Sequence, residues 1–182
     1  MTGEDIINLI KRDKKMMSII FRASDLGLKD WFIGAGFVRN KVWDYLHGVE
    51  KEGVETHDID LVYFDPNGND EDTDNKLSQQ LKAETGIDWE LVNQSYAHVW
   101  KNLPPYTSTE DAITYWPETA TCIGVTLDEK NELKLIAPYG IDDLVNLRIR
   151  MTPKFPEGVE RVKERVKNKK WLEKWPKLEV TY

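Results

Sequence analysis

Apolar residues recur along this chain at two spacings, one typical of helices and the other of strands. From residue 3 to residue 26 they follow helical spacing, with an interruption near Arg12 and Asp13. The helical pattern returns at 37–47, where it predicts a short amphipathic helix. Further helices are predicted at 70–86, 93–100, 107–116, 141–147 and 157–175.

Shorter apolar runs predict strands at 31–33, 59–64 and 87–92, and a β-hairpin made of 121–127 and 132–136. The run after Asp60 is apolar without interruption, which is typical of a strand buried on both faces. We therefore predict an α+β fold in which helices flank a mixed β-sheet, in one domain over residues 1–182. Residues 157–182 are expected to form a peripheral helical segment of that domain.

Composition narrows the class of protein. The chain has 182 residues, of which 40% are hydrophobic and 31% are charged, as in ordinary globular proteins. Its one cysteine, Cys122, excludes an intramolecular disulfide and a cysteine zinc site. A net charge of −7 argues against broad nucleic-acid binding, which needs a basic surface. No apolar run is long enough to span a membrane and no signal-peptide pattern begins the chain, so we expect a cytoplasmic protein.

Two aspartates lie at the start of the buried strand. Asp58 and Asp60 are two residues apart, so on a strand they point to the same face. Adjacent carboxylates repel each other strongly unless a cation lies between them. A solvated strand edge would explain the pair without a function, but the apolar residues that follow favour a metal site.

A turn rich in glycine precedes the helix at 37–47. Gly34, Ala35 and Gly36 form this turn, and backbone N–H groups at a helix N-terminus can receive a phosphate. Arg39 is either a bidentate phosphate ligand or a surface residue, and the sequence favours neither. A phosphate-binding turn followed by a pair of metal-binding aspartates is typical of phosphoryl or nucleotidyl transfer.

A third carboxylate is expected beside the pair if the site holds two metal ions. Glu90 has apolar neighbours on the strand predicted at 87–92, so its side chain can project beside the aspartates. Asp88 points the same way and is the competitor. Asp142 and Asp143 are better explained as acids in the first turn of a helix, where the helix dipole favours them.

Two further patterns have competing interpretations. His57 and Asp58 together are similar to the His-Asp metal motif of phosphohydrolases. That motif needs more histidine ligands than a chain with three histidines readily supplies, so it is disfavoured. The basic positions of the last helix are either a solvated face paired with interleaved glutamates or a surface that attracts an anionic acceptor. These positions are Arg161, Lys163, Arg165, Lys167, Lys169 and Lys170.

Several segments together resemble one protein family. The chain is similar to a bacterial family described only as nucleotidyltransferase-like, within the superfamily typified by DNA polymerase beta. The turn and the aspartate pair also resemble the head of CCA-adding enzymes. The segments with this resemblance are 35–44, 58–65, 89–94, 115–120 and 137–144, and they span about residues 30 to 155.

The resemblance implies a polymerase beta-type fold in which Asp58, Asp60 and Glu90 are metal ligands and catalytic residues. The implied cofactor is Mg²⁺ or Mn²⁺, and the implied reaction moves an NMP from an NTP to a hydroxyl acceptor. ATP is the first candidate nucleotide, the acceptor is open, and a nucleic-acid partner is disfavoured. The phosphates would lie at Gly34, Ala35, Gly36 and Arg39.

The chain departs from the superfamily pattern at two positions. Ala35-Gly36 stands where the superfamily usually has Gly-Gly or Gly-Ser, and Asn40 stands where CCA-adding enzymes have an aspartate. These departures favour the alternative hypothesis, a catalytically inactive module that binds a nucleotide or a partner on the same fold. Retention of all three acids favours the enzyme.

Overall fold

A mixed five-stranded β-sheet forms the centre of the molecule. The structure is a computed structural model that describes residues 1–49, 51–55 and 58–181. The strands are β1 (Phe32–Gly34), β2 (Ile59–Tyr63), β3 (Trp89–Asn93), β4 (Gly124–Leu127) and β5 (Leu133–Ile136). Their order is β3-β2-β1-β4-β5. Only β2 and β3 run parallel to each other, and the other neighbours in this sheet are antiparallel. The predicted α+β class and mixed sheet are therefore confirmed.

Two helices begin the chain, and the interruption predicted between them is real. They are α1 (Gly3–Lys11) and α2 (Lys14–Ser24). Asp13 caps α2, since its carboxylate accepts a hydrogen bond of 3.1 Å from the backbone N–H of Met16. The same carboxylate accepts a hydrogen bond from the ammonium group of Lys41. The break between α1 and α2 therefore also contacts a helix that lies later in the chain.

The helix after β1 is buried rather than amphipathic. This helix, α3 (Gly36–Leu46), has nine consecutive buried residues from Gly36 to Asp44. The prediction of an amphipathic helix at 37–47 is therefore wrong about an exposed polar face, because the polar residues of α3 have partners inside the molecule. Trp175 donates a hydrogen bond of 2.8 Å to Asp44, for example.

The middle of the chain contributes shorter helices around the sheet. They are α4 (Glu71–Thr85), α5 (Gln94–Ala97), a 3-10 turn (His98–Lys101), α6 (Thr109–Ile113) and α7 (Asp142–Val145). Asp70 caps α4, and Gly86 ends it in the left-handed conformation that glycine adopts easily. The predicted boundaries of these elements lie within a few residues of the observed ones, except that α6 ends earlier, at Ile113.

The C-terminal segment lies against the core. The one helix predicted at 157–175 is divided into α8 (Gly158–Asn168) and α9 (Trp171–Lys174). Trp171 and Trp175 both pack edge-on against Trp43, with ring centroids 5.5 and 5.1 Å apart. The segment therefore contributes apolar side chains to the main core cluster, where a peripheral element was expected.

The chain closes with a feature that sequence patterns did not predict. Two three-residue strands, β6 (Arg148–Arg150) and β7 (Glu179–Thr181), pair in parallel beside the main sheet. In the described part of the chain, no helix has the length and apolar character that crossing a membrane requires.

Candidate active site

Three carboxylates converge where β2 and β3 run side by side. Asp60 on β2 is the register partner of Glu90 on β3, and opposite residues of a ladder share one face. Asp58 immediately precedes β2. All three line one cavity of about 340 Å³. The structure thus places the three predicted acids together, as the alternation along both strands suggested.

Burial and charge repulsion raise the proton affinity of two of these acids, Asp60 and Glu90. Burial, together with the charges of Asp58 and Glu90, raises the pKa of Asp60 to about 7, although Arg39 and Lys169 oppose the shift. Burial and the charge of Asp58 also raise the pKa of Glu90. The site therefore favours any positive species, a proton or a metal ion, that reduces the repulsion.

The competing acids lie elsewhere. The carboxylate of Asp88 forms an exposed ion pair with Lys82 and does not line the cavity. Asp143, at the start of α7, accepts a hydrogen bond of 2.7 Å from Thr119 and pairs with Arg150. The His57-Asp58 interpretation falls partly on His57, which lies outside the described residues.

The turn between β1 and α3 forms one wall of the cavity. Ala35 and Gly36 line it, and α3 begins at Gly36. Gly34 has a different role: a Cβ atom there would lie 2.7 Å from the indole ring of Trp116. Ala35 adopts a φ of 48°, a conformation that normally requires glycine. The turn is thus open at Ala35 and Gly36, while Gly34 makes room for Trp116.

Arg39 is buried in the wall of the cavity and is not a surface residue. Its guanidinium lies 4.4 Å from the ring centroid of Trp171 and donates a hydrogen bond of 2.7 Å to Thr121. Burial lowers the pKa of Arg39 to about 10, which still leaves it charged at neutral pH. Among the described residues, nothing accepts a hydrogen bond from its Nε. Arg39 therefore places a buried positive charge close enough to Asp60 to oppose the rise of its pKa.

Sequence reasoning missed a polar network behind the acids. Glu118 is fully buried, and its carboxylate accepts hydrogen bonds from Thr121 at 2.7 Å and from Arg165 at 2.8 Å. Thr121 in turn accepts from Arg39. The chain of contacts therefore joins α3 to α8. Glu118 lies in the 115–120 segment that carries the family resemblance, but its partner on α8 is 47 residues away.

Positive side chains line the same cavity as the acids. They are Arg39, Lys101, Arg161, Arg165 and Lys169, three of which come from the C-terminal segment, and Glu157 from that segment lines the cavity as well. Neither interpretation of the basic helix included this contact. The fold therefore brings the acids of β2 and β3 and cations of the C-terminal segment to one cavity.

Comparison with known proteins identifies the family. A sequence model of a nucleotidyltransferase family matches residues 22–180. This chain belongs to that nucleotidyltransferase family. Among curated proteins no match was found.

Solved structures of similar fold support this family and its enzyme class. One of them is an NMR structure described as revealing a CCA-adding enzyme head domain. It is 34% identical to this chain, with a TM-score of 0.83. The match covers 98% of this chain and 95% of that one. A CCA-adding enzyme in complex with CTP is 15% identical with a TM-score of 0.61, and the match covers 100% of this chain but 44% of that enzyme.

A further neighbour is a tRNA nucleotidyltransferase complexed with a primer tRNA and an incoming ATP analog. It is 18% identical with a TM-score of 0.53, and the match covers 87% of this chain and 45% of that one. This nucleotidyltransferase chain therefore spans less than half the length of these two enzymes.

The donor set of this nucleotidyltransferase suits a divalent metal. Carboxylate oxygens are the protein ligands that Mg²⁺ prefers, and two sites sharing three carboxylates are a common arrangement in phosphoryl transfer. Within the described residues, no three acid, thiol or imidazole groups are already arranged as a metal cage. Burial and carboxylate repulsion raise the pKa values of Asp60 and Glu90, and a bound cation would relieve the repulsion.

Proposed function

We infer that this protein is a metal-dependent nucleotidyltransferase that moves an NMP from an NTP, with ATP as first candidate, to a hydroxyl acceptor. The observation that carries the proposal is one cavity that is lined by Asp58, Asp60 and Glu90 together with five cationic side chains. Nucleotidyl transfer needs both, because a triphosphate is strongly anionic and its acceptor must lose a proton.

Asp58, Asp60 and Glu90 are the residues that would hold Mg²⁺ or Mn²⁺. When bound there, a divalent ion supplies charge neutralisation for the triphosphate and lowers the pKa of the acceptor hydroxyl. Glu90 stands on the edge strand of the sheet, and its raised pKa suits it to take the proton from that hydroxyl.

The cations of the cavity bind the phosphates in this proposal. Arg161, Arg165 and Lys169 line it from the C-terminal segment, and the N-terminus of α3 adds backbone N–H groups at the same cavity. Arg39 lies behind this turn and contributes charge from a buried position. The leaving pyrophosphate would thus be stabilised by arginine and lysine side chains.

Calorimetry with ATP, CTP, GTP and UTP, with and without Mg²⁺, tests the binding half of the proposal. We expect one of them to bind in a Mg²⁺-dependent manner, and Lys169→Ala to weaken its binding about tenfold, the effect of losing roughly 1.4 kcal/mol of charge-assisted contact. Lys167→Ala is the matched control, since Lys167 is exposed and does not line the cavity. An equal loss in both variants would contradict the assigned phosphate wall.

Pyrophosphate release in the presence of a metabolite extract tests the catalytic half. We expect release that requires Mg²⁺ and is abolished by Asp60→Asn. Mg²⁺-dependent nucleotide binding without any pyrophosphate release from any extract would instead identify a catalytically inactive nucleotide-binding module. Absence of nucleotide binding would overturn both functions.

A further inference from the structure

A second cavity of about 240 Å³ is lined by two of the same acids. It shares Asp60, Glu90, Lys101 and Trp116 with the first cavity. Its remaining lining is mostly apolar: Val62, Val92, Ala97, Trp100, Tyr106 and Ala112. We call this second cavity the aromatic cleft. The acids therefore form the boundary between a cation-lined cavity and a largely apolar one.

The apolar floor of the cleft continues along the two strands that hold the acids. Val62 follows Asp60 by two residues, and Val92 follows Glu90 by two, so all four side chains share one face of the sheet. A molecule lying on these valines would therefore have its near end at the carboxylates. The direction of β2 and β3 would therefore set the orientation of such a molecule.

Trp100 is held at the cleft in an exposed position. Its side chain is 54% exposed, which is unusual for the largest apolar residue. The indole packs edge-on against Tyr96, with ring centroids 5.4 Å apart, and the Tyr96 hydroxyl donates to Asp74 at 2.7 Å. An aromatic surface that is both exposed and anchored is suited to stacking on a flat ligand.

The geometry of nucleotidyl transfer assigns the two cavities different occupants. The attacking oxygen and the leaving group lie roughly in line on opposite sides of the phosphorus. The cations that suit the leaving pyrophosphate lie in the first cavity, so the acceptor must approach from another side of the acids. The aromatic cleft opens to Glu90, the residue proposed to take the acceptor proton.

Charge restricts what the cleft accepts. Among the described residues that line it, Lys101 is the one cation, and Asp60 and Glu90 are its two acids. An anionic body, such as the phosphate backbone of a nucleic acid, would meet more negative than positive charge there. The lining therefore favours an uncharged body.

We propose that the aromatic cleft binds the acceptor, and that the acceptor is an uncharged molecule whose hydroxyl is carried by a flat apolar ring. This inference rests on the proposed nucleotidyl transfer. In the reaction, the acceptor oxygen forms a bond to the α-phosphorus of the NTP, the bond from that phosphorus to pyrophosphate breaks, and the hydroxyl proton passes to the carboxylate of Glu90.

Binding of para-cresol, an uncharged ring with one hydroxyl, tests the cleft directly. An NMR titration can follow the indole N–H of Trp116, which lines both cavities. We expect para-cresol to bind and glycerol, which lacks a ring, not to bind. Trp100→Ala should weaken para-cresol binding about tenfold, as expected for the loss of one stacking platform, and Trp100→Phe should restore most of it.

Two controls separate this inference from the proposed function. Phe21→Ala removes another exposed aromatic side chain, on α2, and should leave para-cresol binding unchanged. The affinity for α,β-methylene-ATP with Mg²⁺ should be the same in the wild type and in Trp100→Ala. Normal binding of this analog with no Trp100-dependent binding of para-cresol would overturn the cleft assignment alone.

Other results would also overturn the inference. Equal binding of glycerol and para-cresol would show that the ring is not recognised. A loss of ATP-analog affinity in Trp100→Ala would show that the cleft holds the nucleobase instead of the acceptor. If para-cresol binds as expected but no nucleotide does, the cleft is a ring-binding site and the proposed function fails.

Discussion

Two aspartates close to the same sheet, Asp74 and Asp60, show what separates a structural carboxylate from a reactive one. Asp74 on α4 is 1% exposed and accepts hydrogen bonds from the hydroxyls of Tyr63 and Tyr96, both at 2.7 Å, and from the backbone N–H of Asn93 at 2.8 Å. For Asp60, in contrast, the strongest charge effects on the pKa come from two carboxylates, those of Asp58 and Glu90. Asp74 holds its neighbours in place through hydrogen bonds, whereas Asp60 is left with a charge repulsion that a bound cation can remove.

The two tyrosines that donate hydrogen bonds to Asp74 have the pKa shifts expected beside a structural acid. Burial, together with the hydrogen bonds to Asp74, raises the pKa of Tyr63 and of Tyr96. Both phenols therefore remain protonated donors at all ordinary pH values. No proton needs to move in this cluster for the protein to work.

The largest effect in this comparison should come from Asp74→Ala. The substitution leaves two hydroxyls and one backbone N–H without their acceptor, so we expect it to lower the free energy of unfolding by about 3 kcal/mol. Urea denaturation measures this change. Asp72→Ala, at an exposed position in the first turn of the same helix, is the control and should cost well under 1 kcal/mol. Similar losses in both variants would contradict the structural role of Asp74.

In metal-free protein, Asp60→Asn should raise the free energy of unfolding, whereas Asp74→Ala lowers it. The pKa of Asp60 in the folded state is about 7, above its ordinary value of 3.8. Between pH 3.8 and about 7, Asp60 keeps a proton in the folded state that it loses in the unfolded state. The free energy of unfolding therefore falls as pH rises through this range and stays low above it. We expect Asp60→Asn to be about 2 kcal/mol more stable than wild type at pH 8, since one pKa unit corresponds to about 1.4 kcal/mol and relaxation absorbs part of the shift.

Denaturation curves at pH 4 and pH 8 with a chelator present measure this difference. At pH 4 the two proteins should have nearly equal stability, because wild-type Asp60 is then protonated in the folded state. A variant less stable than wild type at pH 8 would mean that the Asp60 carboxylate is satisfied by its surroundings, as that of Asp74 is.

Mg²⁺ should stabilise the wild type by relieving the same repulsion. At a concentration ten times its Kd, a ligand that binds only the folded state adds about 1.4 kcal/mol to the free energy of unfolding. Thermal melts with and without Mg²⁺ report the shift, which should vanish in Asp58→Asn/Asp60→Asn. Asp74→Asn is a useful comparison, since it should melt at a lower temperature but still respond to Mg²⁺. A wild type that ignores Mg²⁺ would show that the acids are not a metal site.

The smallest effect should come from the turn beside the acids. Ala35 has a positive φ, so Ala35→Gly should relieve strain and stabilise the protein by about 1 kcal/mol. Gly86→Ala provides the reverse test, because that glycine ends α4 with a φ of 71°. Loss of stability in Ala35→Gly would show that the methyl group contributes packing that outweighs the backbone strain.

Local signals in the sequence were enough to predict most of the fold. Asp13 and Asp70 cap helices through nearby backbone groups, and the alternation around Glu90 marks β3. The same alternation predicted that Glu90 would lie near Asp58 and Asp60, where the structure places it. Whether these acids bind metal stays a prediction.

Long-range contacts are what the sequence could not provide. The burial of α3 depends on partners such as Trp175, which lies 131 residues from Asp44. The strands β6 and β7 are three residues each, too short to show any periodicity. The cations of the cavity wall had a visible charge pattern, but nothing in that pattern indicated which side of the helix faces the acids.

The buried pair of Glu118 and Arg165 has a consequence for how this family can change over evolution. Removing one member of a buried ion pair typically costs about 3–5 kcal/mol, whereas replacing both by apolar residues can be nearly neutral. Because Arg165 also lines the proposed phosphate cavity, a joint apolar replacement would remove a phosphate contact as well as the ion pair. Relatives that keep the activity should therefore retain Glu118 and Arg165 together, and an alignment of this family should show the two positions changing together where it is lost, across the 47 residues between them.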